Sequence, residues 1–460
     1  MPILDALVKQ LGKDVVSGPD AIDAAYLGDW LLKLEGGQHP AALVRPRTTQ
    51  EVSATLKVCH AQGVPVVAQG GRTGLTGGAT PAAGWVVLSL ERMRAVERID
   101  SAGATATVQA GVPLQSVQEA ADAADLLFPL DIGSRGTCTI GGNISTNAGG
   151  NRVLRFGMMR ELVLGLEVVL ADGTVVESLN TMLKNNAGYD LKQMFIGSEG
   201  TLGVITRAVL RLFPKPRSLQ TAICAVRDYD GGVELLRRLK ASLGASLSAF
   251  EMMWPDFYFL GTDLNKRRAP VAHGAGAYIL VEAMGVHEER DAEAFSAAIG
   301  EALESGIVTD AVVAQSRKES NDLWAIRDAP GEFPKLFWPF VGFDVSLPVA
   351  RIGEFVAECT RRLDVRWPQT KYLYFGHIAD SNIHICVQTA ERPLPDVQID
   401  ELVYEAVRDF KGSVSAEHGI GILKRPYLGF TRSPVELALM KQLKASLDPN
   451  GILNPQKVFQ

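Results

Sequence analysis

The fold of this chain is indicated first by the stretch Pro65-Val-Val-Ala-Gln-Gly-Gly-Arg-Thr-Gly-Leu-Thr-Gly-Gly78. An apolar strand leads directly into a loop in which five of the nine residues 70–78 are glycine. Consecutive glycines after a buried strand let backbone N–H groups turn towards an anion, because no Cβ blocks the approach of a phosphate. Taken alone, the loop is equally consistent with a flexible surface loop.

The residues around this loop argue against two familiar phosphate-binding motifs. The sequence contains no GxxxxGK[ST], so a P-loop NTPase is not indicated. The next predicted element is another strand, residues 85–90, whereas the Rossmann motif requires a helix after its glycines.

Two later segments share the glycine-rich character of the first loop. They are Asp131-Ile-Gly-Ser-Arg-Gly-Thr-Cys-Thr-Ile-Gly-Gly-Asn-Ile-Ser-Thr-Asn-Ala-Gly-Gly150 and Gly197-Ser-Glu-Gly-Thr-Leu-Gly-Val-Ile205. The first of them combines glycine with short hydroxyl and amide side chains, which hydrogen-bond a polar heterocycle without adding bulk, and the second repeats the theme before a strand. Three such loops indicate an extended ligand of about the size of a dinucleotide.

Regular elements surround these loops. A helix capped by Thr48 and ended by Gly63 is predicted before the first loop, and an Asp172-Gly173 turn predicts a β-hairpin after the second. The proline pair in 213–216 is the best domain boundary, followed by a second domain of strands and helices. The last helix is capped by Ser433 and carries an apolar stripe formed by Val435, Leu439, Leu443 and Leu447.

Composition predicts a protein of two or three globular domains. The 460 residues are 47% hydrophobic and 21% charged, and the net charge of −6 provides no basic field for nucleic acid or anionic lipid. No apolar run approaches the roughly 18 residues of a membrane span, so no integral membrane segment is expected. The five cysteines include no CxxC pair, which favours a reducing, cytoplasmic location.

Two of the seven histidines lie in Tyr372-Leu-Tyr-Phe-Gly-His-Ile-Ala-Asp-Ser-Asn-Ile-His-Ile-Cys-Val387. The pattern predicts a hairpin centred on Asp380-Ser381. In that hairpin His377 and His384 would face each other directly, with Cβ atoms about 5 Å apart, a separation that a metal can bridge.

A second motif, Ser415-Ala-Glu-His-Gly-Ile-Gly421, supplies a carboxylate and an imidazole within one turn. Two histidines and a glutamate with an open position form a catalytic divalent site whose ligand types suit zinc or manganese. From spacing alone, ordinary core or surface histidines remain the alternative.

The three glycine-rich motifs in this order resemble the vanillyl-alcohol oxidase / p-cresol methylhydroxylase flavoprotein family, and within it the FAD-dependent D-2-hydroxy-acid dehydrogenases (the D-2-hydroxyglutarate and D-lactate dehydrogenase group). The resemblance runs from about residue 40 to the C-terminus. It implies an α+β fold: a two-subdomain FAD-binding domain of the p-cresol methylhydroxylase type, and an α+β substrate domain with an antiparallel sheet. We therefore expect an FAD domain over 1–216 (core about 38–216), a substrate and metal domain over 217–424, and a helical segment, 425–460, that returns to the FAD domain.

The resemblance implies FAD, which we expect to be non-covalent because the first loop contains no histidine for attachment. The implied cofactor-binding residues are Gly70, Gly71, Arg72, Thr73, Gly74, Leu75, Gly77, Ser134, Thr139, Gly142, Asn143, Ser145, Asn147, Ala148, Glu199, Gly203, Val204, Ile205 and Asn454.

The resemblance also implies roles in the reaction. His377, His384 and Glu417 match divalent-metal ligands, and His418 matches the general base that takes the hydroxyl proton as hydride leaves the α-carbon for flavin N5. Arg327 matches the arginine that holds the substrate carboxylate, although a surface helix arginine is the plainer interpretation of that residue.

Several positions depart from the D-2-hydroxyglutarate dehydrogenases. Those enzymes carry a threonine four residues beyond the arginine, a lysine before the Asp-x-Ser-Leu-Pro strand, and an asparagine two residues beyond the second metal histidine. This chain has Gly331, Gly342 and Cys386 there, which argues against a five-carbon diacid substrate. Residues 332–340 indicate either a more aromatic pocket or plain core, and Lys335 could supply a positive charge by another route.

Three alternatives stay open at this level. They are a flavoprotein oxidase of the same fold acting on another alcohol, a nucleotide-binding metallohydrolase that uses the histidine cluster, and a non-enzymatic nucleotide-binding protein. For the leading hypothesis, the substrate is a small-molecule 2-hydroxy acid whose side chain is left open, and an electron-transfer flavoprotein or a quinone is the electron acceptor. The resemblance also makes a homodimer one expected assembly.

Overall fold

The computed structural model describes residues 2–34 and 39–459. The chain divides into two compact units. The first contains residues 1–150, 157–215 and 417–460, and the second contains residues 151–156 and 216–416. Residue 38, where the core of the predicted FAD domain begins, lies outside the described residues.

The first unit contains a four-stranded sheet that presents the first glycine loop. Its strands, in spatial order, are Val16–Ser17, Ala42–Val44, Val86–Ser89 and Val66–Gln69. The last three strands are parallel. The first glycine-rich loop, residues 70–78, begins where the buried strand Val66–Gln69 ends. The helix Thr49–Gln62 precedes this strand, capped by the Thr48 hydroxyl and ended by Gly63 at φ +63°, as predicted.

A second sheet of the first unit holds the hairpin. Its antiparallel strands, in spatial order, are Val96–Asp100, Thr105–Gln109, Val204–Arg211, Val163–Val169 and Val175–Ser178. The last two strands confirm the hairpin predicted around Asp172-Gly173. Leu126–Leu127 pairs with Phe213–Pro214 in a separate ribbon. The α-helices of this unit are Ile3–Leu11, Thr49–Gln62, Leu114–Ala123, Ile140–Ser145, Met159–Leu162, Lys192–Phe195, Leu428–Thr431 and Pro434–Leu447.

The C-terminal segment packs along the strand that precedes the glycine loop. Val66 donates its N–H to the Ile452 carbonyl at 2.7 Å, and Asn454 donates to the Val66 carbonyl at 2.8 Å. Lys457 is buried, with Nζ donating to the Thr80 carbonyl at 2.9 Å, and this burial lowers the pKa of the lysine to about 8. These bonds make residues 452–457 part of the first unit.

The apolar stripe of the last helix faces outward. Ser433 and Glu436 form the predicted capping box, but Val435 is 79% exposed and Leu439 57% exposed. The helix is held instead by Lys444, whose Nζ donates to the carbonyls of Thr201 and Leu453 at 2.7 Å. A polar anchor therefore replaces the apolar contact that the stripe indicates.

The second unit is built on one antiparallel sheet of seven strands. In spatial order they are Val308–Val313, Ser218–Val226, Ala277–Gly285, Leu247–Met253, Lys371–Gly376, Asn382–Gln388 and Val341–Ser346. Its α-helices are Val153–Phe156, Tyr229–Leu243, Pro255–Phe259, Glu288–Glu304, Arg317–Arg327, Phe333–Leu336, Ile352–Arg366 and Asp396–Asp409. Within the described residues, no helix combines the length and apolarity needed to cross a membrane.

The two units differ from the predicted domains at two short segments. Residues 151–156 join the second unit because Arg152 Nε pairs with the buried Glu282 carboxylate at 3.0 Å and Arg155 donates to the Met284 carbonyl at 2.6 Å. Residues 417–424 join the first unit through backbone bonds described below.

Candidate active site

The first glycine loop lies so close to the second that only glycine fits. A Cβ added at Gly70 would lie 2.2 Å from Thr139 Oγ1, and one at Gly71 would lie 2.0 Å from the Thr137 carbonyl oxygen. Thr139 Oγ1 is buried and has no hydrogen-bond partner among residues 2–34 and 39–459. Half-buried glycine backbone beside an unpartnered buried hydroxyl fits a polar, phosphate-bearing ligand such as FAD.

Hydrogen bonds bring the third glycine-rich loop to the other two. Glu199 donates its N–H to the Ser145 carbonyl at 2.8 Å, which joins the third loop to the second. Asn454 Nδ2 donates to the carbonyls of Gly78 at 3.0 Å and Glu199 at 2.8 Å, which joins the third loop to the first. The three motifs therefore form one cluster within the first unit.

Some predicted cofactor residues also have structural roles. Asn147 has φ +50°, and its Oδ1 accepts the Arg160 N–H at 2.9 Å. A Cβ at Gly203 would lie 2.5 Å from the Val168 side chain, so this glycine permits close packing. Every predicted cofactor residue lies in the first unit, namely Gly70, Gly71, Arg72, Thr73, Gly74, Leu75, Gly77, Ser134, Thr139, Gly142, Asn143, Ser145, Asn147, Ala148, Glu199, Gly203, Val204, Ile205 and Asn454.

The Glu199 carboxylate holds the loop that follows His418. Its two oxygens accept the N–H groups of Ile420 at 2.7 Å and Gly421 at 2.8 Å. Burial raises the pKa of Glu199, although these two bonds and nearby lysine charges act in the opposite direction. A buried carboxylate with two backbone donors stabilises one conformation of the turn that carries His418.

The first glycine loop holds the same segment from another side. The Thr76 carbonyl accepts the N–H of Ile422 at 2.8 Å. Gly421 has φ +52°, and a Cβ there would lie 2.2 Å from that carbonyl oxygen, so only glycine permits this approach. His418 is thus tied to the loops predicted to bind the cofactor.

In the second unit, Glu251 connects Arg327 with His377. Its carboxylate lies 2.7 Å from Arg327 Nε and 2.6 Å from His377 Nδ1, and all three residues are buried. Burial would raise the pKa of Glu251, but the charges of His377 and Arg327 outweigh it, so the pKa is lowered. The plainer interpretation of Arg327 as a surface arginine is wrong, because its guanidinium is buried in this network.

The Glu251 contact also selects the tautomer of His377. With Nδ1–H donating to the carboxylate, Nε2 is the nitrogen that carries the lone pair whenever the imidazole is neutral. Histidines that bind metals commonly have this carboxylate partner on the other ring nitrogen. Arg327 Nη2 lies 3.4 Å from His377 Nε2, so the guanidinium lies beside the ring nitrogen that a metal would bind.

The histidine hairpin has a longer turn than predicted. The strands are Lys371–Gly376 and Asn382–Gln388, and His384 pairs with Phe375, not with His377. The direct pairing of His377 and His384 was wrong, because Gly376 at φ +153° and the 3₁₀ turn Ile378–Asp380 carry His377 out of the ladder. The two imidazole centroids still lie 5.4 Å apart.

A further carboxylate, Asp344, lies beside this hairpin. Its Oδ1 accepts from Asn382 Nδ2 at 2.9 Å and lies 3.9 Å from His384 Nδ1. Ala416 donates its N–H to Asp344 Oδ2 at 3.2 Å. Burial raises the pKa of Asp380, on the turn, to about 6.

The predicted metal ligands are divided between the units. His377 and His384 belong to the second unit, whereas Glu417, together with His418, begins the C-terminal part of the first. Imidazole nitrogens and a carboxylate oxygen are suitable donors for zinc or manganese.

Two acidic residues of the second unit were missed in the sequence, although each leaves a signal. Glu251 interrupts the apolar strand Leu247–Met253, and Asp344 lies between Phe343 and Val345 in another strand. An acidic residue at a buried strand position needs a cationic or hydrogen-bonding partner, which marks such positions as candidates for a site.

Comparison with protein families and curated proteins gives full-length matches. The family of FAD-binding domains matches residues 40–178, and the family of FAD-linked oxidase C-terminal domains matches residues 215–458. A mitochondrial D-2-hydroxyglutarate dehydrogenase of Bos taurus is 39% identical, over 99% of this chain and 83% of the relative. A D-2-hydroxyglutarate dehydrogenase of Xanthomonas citri pv. viticola is 39% identical, over 95% of this chain and 92% of the relative.

Solved structures show the same fold. A p-cresol methylhydroxylase structure superposes with a TM-score of 0.77 at 17% identity, over 99% of this chain and 96% of that one. The α+β fold class predicted from the motifs, with its p-cresol methylhydroxylase type of cofactor domain and antiparallel second sheet, is confirmed.

Replacing Gly71 by alanine should remove FAD from the purified protein. The added Cβ would push the Thr137 carbonyl and separate the first two loops, and overpacking of this kind costs about 1–3 kcal/mol. We expect the flavin content to fall roughly tenfold, measured by the ratio of absorbance at flavin and protein wavelengths. Gly300→Ala, on helix Glu288–Glu304 of the second unit, is the control, because its Cβ would meet nothing within 4 Å. Full flavin content in G71A would exclude this contact as a determinant of binding.

Replacing Glu199 by glutamine should loosen the segment after His418. The amide nitrogen would face a backbone N–H, and a hydrogen bond to a charged group contributes about 1.5–3 kcal/mol. We expect amide exchange at Ile420 and Gly421 to accelerate by roughly 10–100-fold, measured by mass spectrometry. Glu436→Gln, at an exposed helix cap, should leave this exchange unchanged. Equal protection in E199Q and the parent protein would contradict the proposed clamp.

Proposed function

The chain belongs to the FAD-dependent D-2-hydroxy-acid dehydrogenases of the vanillyl-alcohol oxidase / p-cresol methylhydroxylase family, and we propose that it oxidises a D-2-hydroxy acid to the corresponding 2-oxo acid. The observation that carries the proposal is the buried Arg327–Glu251–His377 network beside His384. It offers a guanidinium for a carboxylate and imidazoles for a metal, which are the groups that a 2-hydroxy acid requires.

FAD would be held non-covalently by the three glycine-rich loops of the first unit. The support is the glycine-only contact of Gly70 and Gly71 with residues 137–139, and the unpartnered hydroxyl of Thr139. When bound, FAD accepts the hydride that leaves the α-carbon.

Arg327 binds the substrate carboxylate and orients the α-carbon. Glu251 holds the guanidinium through Nε, and Nη2 lies 3.4 Å from His377 Nε2, so Nη1 is assigned to the substrate. Because the whole network is buried, the carboxylate is bound away from water, where a charge-assisted bond is stronger.

His418 takes the proton from the substrate hydroxyl as general base. The proton moves to an imidazole nitrogen while the hydride leaves the α-carbon, so the products are the 2-oxo acid, reduced flavin and the imidazolium. Glu199 and Thr76 support this role because they fix the backbone of residues 420–422, which follow His418.

His377, His384 and Glu417 are the proposed ligands of a divalent metal, zinc or manganese. The Glu251 contact supports His377 and the nearness of the two rings supports His384, while Glu417 supplies the carboxylate that the Glu-His motif predicts. When bound, the metal acts as a Lewis acid that lowers the pKa of the hydroxyl. The electron acceptor, an electron-transfer flavoprotein or a quinone, and a cytoplasmic location stay predictions.

The reaction is tested by dye-linked oxidation of D- and L-lactate. With dichlorophenolindophenol as acceptor, we expect the D-enantiomer to be oxidised at least ~100-fold more efficiently, because one site fixes carboxylate, hydroxyl and hydrogen at once. The 2-oxo product is measured as its hydrazone. Preference for the L-enantiomer, or no dye reduction with any 2-hydroxy acid, would contradict the proposal.

Replacing His384 by alanine should lower the bound metal. Loss of one ligand is expected to reduce metal per protein at least ~10-fold, measured by elemental analysis after dialysis. His287→Ala, on the exposed start of helix Glu288–Glu304, is the matched control. An unchanged metal content in H384A would remove His384 from the site.

A further inference from the structure

One face of the seven-stranded sheet changes from polar to apolar next to His384. Side chains two residues apart on a strand share a face, so Cys386 lies on the side of His384, about 7 Å further along the strand. Across the ladder, Cys386 pairs with Gly342 on one side and Leu373 on the other. A ligand group that extends from His384 along the strand therefore faces a row formed by Cys386, Leu373 and Gly342, of which the first two are apolar and the third has no side chain.

Gly342 leaves a surface position without a side chain on this face, and this position is named the hollow below. The residue is exposed, and a Cβ built on it would meet within 4 Å only the Phe340 ring, at 3.4 and 3.8 Å. On the same face, Gln388 Nε2 donates to the Pro339 carbonyl at 2.9 Å. This bond holds the segment around Phe340 beside the hollow.

The border of the hollow is aromatic. Phe340 makes edge contacts with Phe333 at 5.7 Å and Trp338 at 5.8 Å, measured between ring centroids. Phe375, the direct partner of His384, lies in the same buried cluster as Cys386 and Phe333. Trp338 is 62% exposed, so part of this aromatic surface is not used in the core.

Two basic residues near this segment already have acidic partners. Arg327 is paired with Glu251, and Lys335, which is 77% exposed, is paired with Glu332 at 2.9 Å. Lys371 is exposed on this same face, two residues and about 7 Å beyond Leu373. A second carboxylate placed over Gly342 would therefore have to reach Lys371, one row further along the sheet, or lose water without a matched cation.

We propose that the substrate is a 2-hydroxy acid with an aromatic or large apolar side chain, which lies over the exposed Gly342 against Phe340. An aromatic ring there gains edge-to-face contacts and buries apolar surface. This proposal rests on the proposed function, since it places the side chain relative to the histidines and Arg327.

The test compares three D-2-hydroxy acids with the holoenzyme in the dye-linked assay: D-3-phenyllactate, D-lactate and D-2-hydroxyglutarate. We expect kcat/KM for D-3-phenyllactate to exceed that for D-2-hydroxyglutarate at least ~10-fold. Gly342→Leu should raise KM for D-3-phenyllactate at least ~10-fold and change D-lactate less than about twofold, because the methyl group does not reach the hollow. Gly300→Leu is the matched control, since its Cβ meets nothing within 4 Å on helix Glu288–Glu304.

The outcomes separate this proposal from the function on which it rests. Oxidation of D-2-hydroxyglutarate with equal or higher kcat/KM overturns the aromatic side chain and leaves the reaction intact. Equal losses on D-lactate and D-3-phenyllactate in G342L overturn the placement over Gly342. Failure of all three acids overturns the reaction and the side-chain proposal together.

Discussion

The cost of burying an ionised carboxylate determines how the functional histidines are held. A buried charge without partners is destabilising by several kcal/mol, so such a group persists only where donors surround it. Glu199 meets this requirement with the backbone N–H groups of Ile420 and Gly421, and Glu251 meets it with Arg327 and His377. Each unit thus buries one glutamate whose partners lie at, or immediately after, a proposed functional histidine.

This constraint explains why sequence motifs far apart act together. Glu199 belongs to the third glycine-rich motif, whereas Ile420 and Gly421 follow the Glu-His motif more than 200 residues later. The chain returns to the first unit after residue 416, and Asn454 then joins the first and third glycine loops. The glycine-rich loops proposed to bind FAD and the proposed base are consequently parts of one hydrogen-bonded unit, while the network proposed to bind the substrate belongs to the other.

Local signals allowed much of this to be predicted, and tertiary contacts account for what was not. The glycine loops, the Asp172-Gly173 hairpin and the Thr48 cap depend on neighbouring residues, so the sequence contains their cause. The partner of Arg327 could not be predicted, because Glu251 lies 76 residues away on another element. His377 lies outside the ladder that pairs His384 with Phe375, because the chain turns after Gly376, and no hydrophobic pattern records that turn.

The most direct measurement is the anaerobic visible spectrum of the flavin after addition of a D-2-hydroxy acid, recorded for the parent protein and for His418→Ala. The account predicts that the parent flavin bleaches, whereas the variant retains FAD and bleaches at least ~100-fold more slowly, as expected for loss of a general base. Bleaching of the variant at the parent rate would contradict the assignment of His418. A parent flavin that no 2-hydroxy acid bleaches would contradict the proposed reaction.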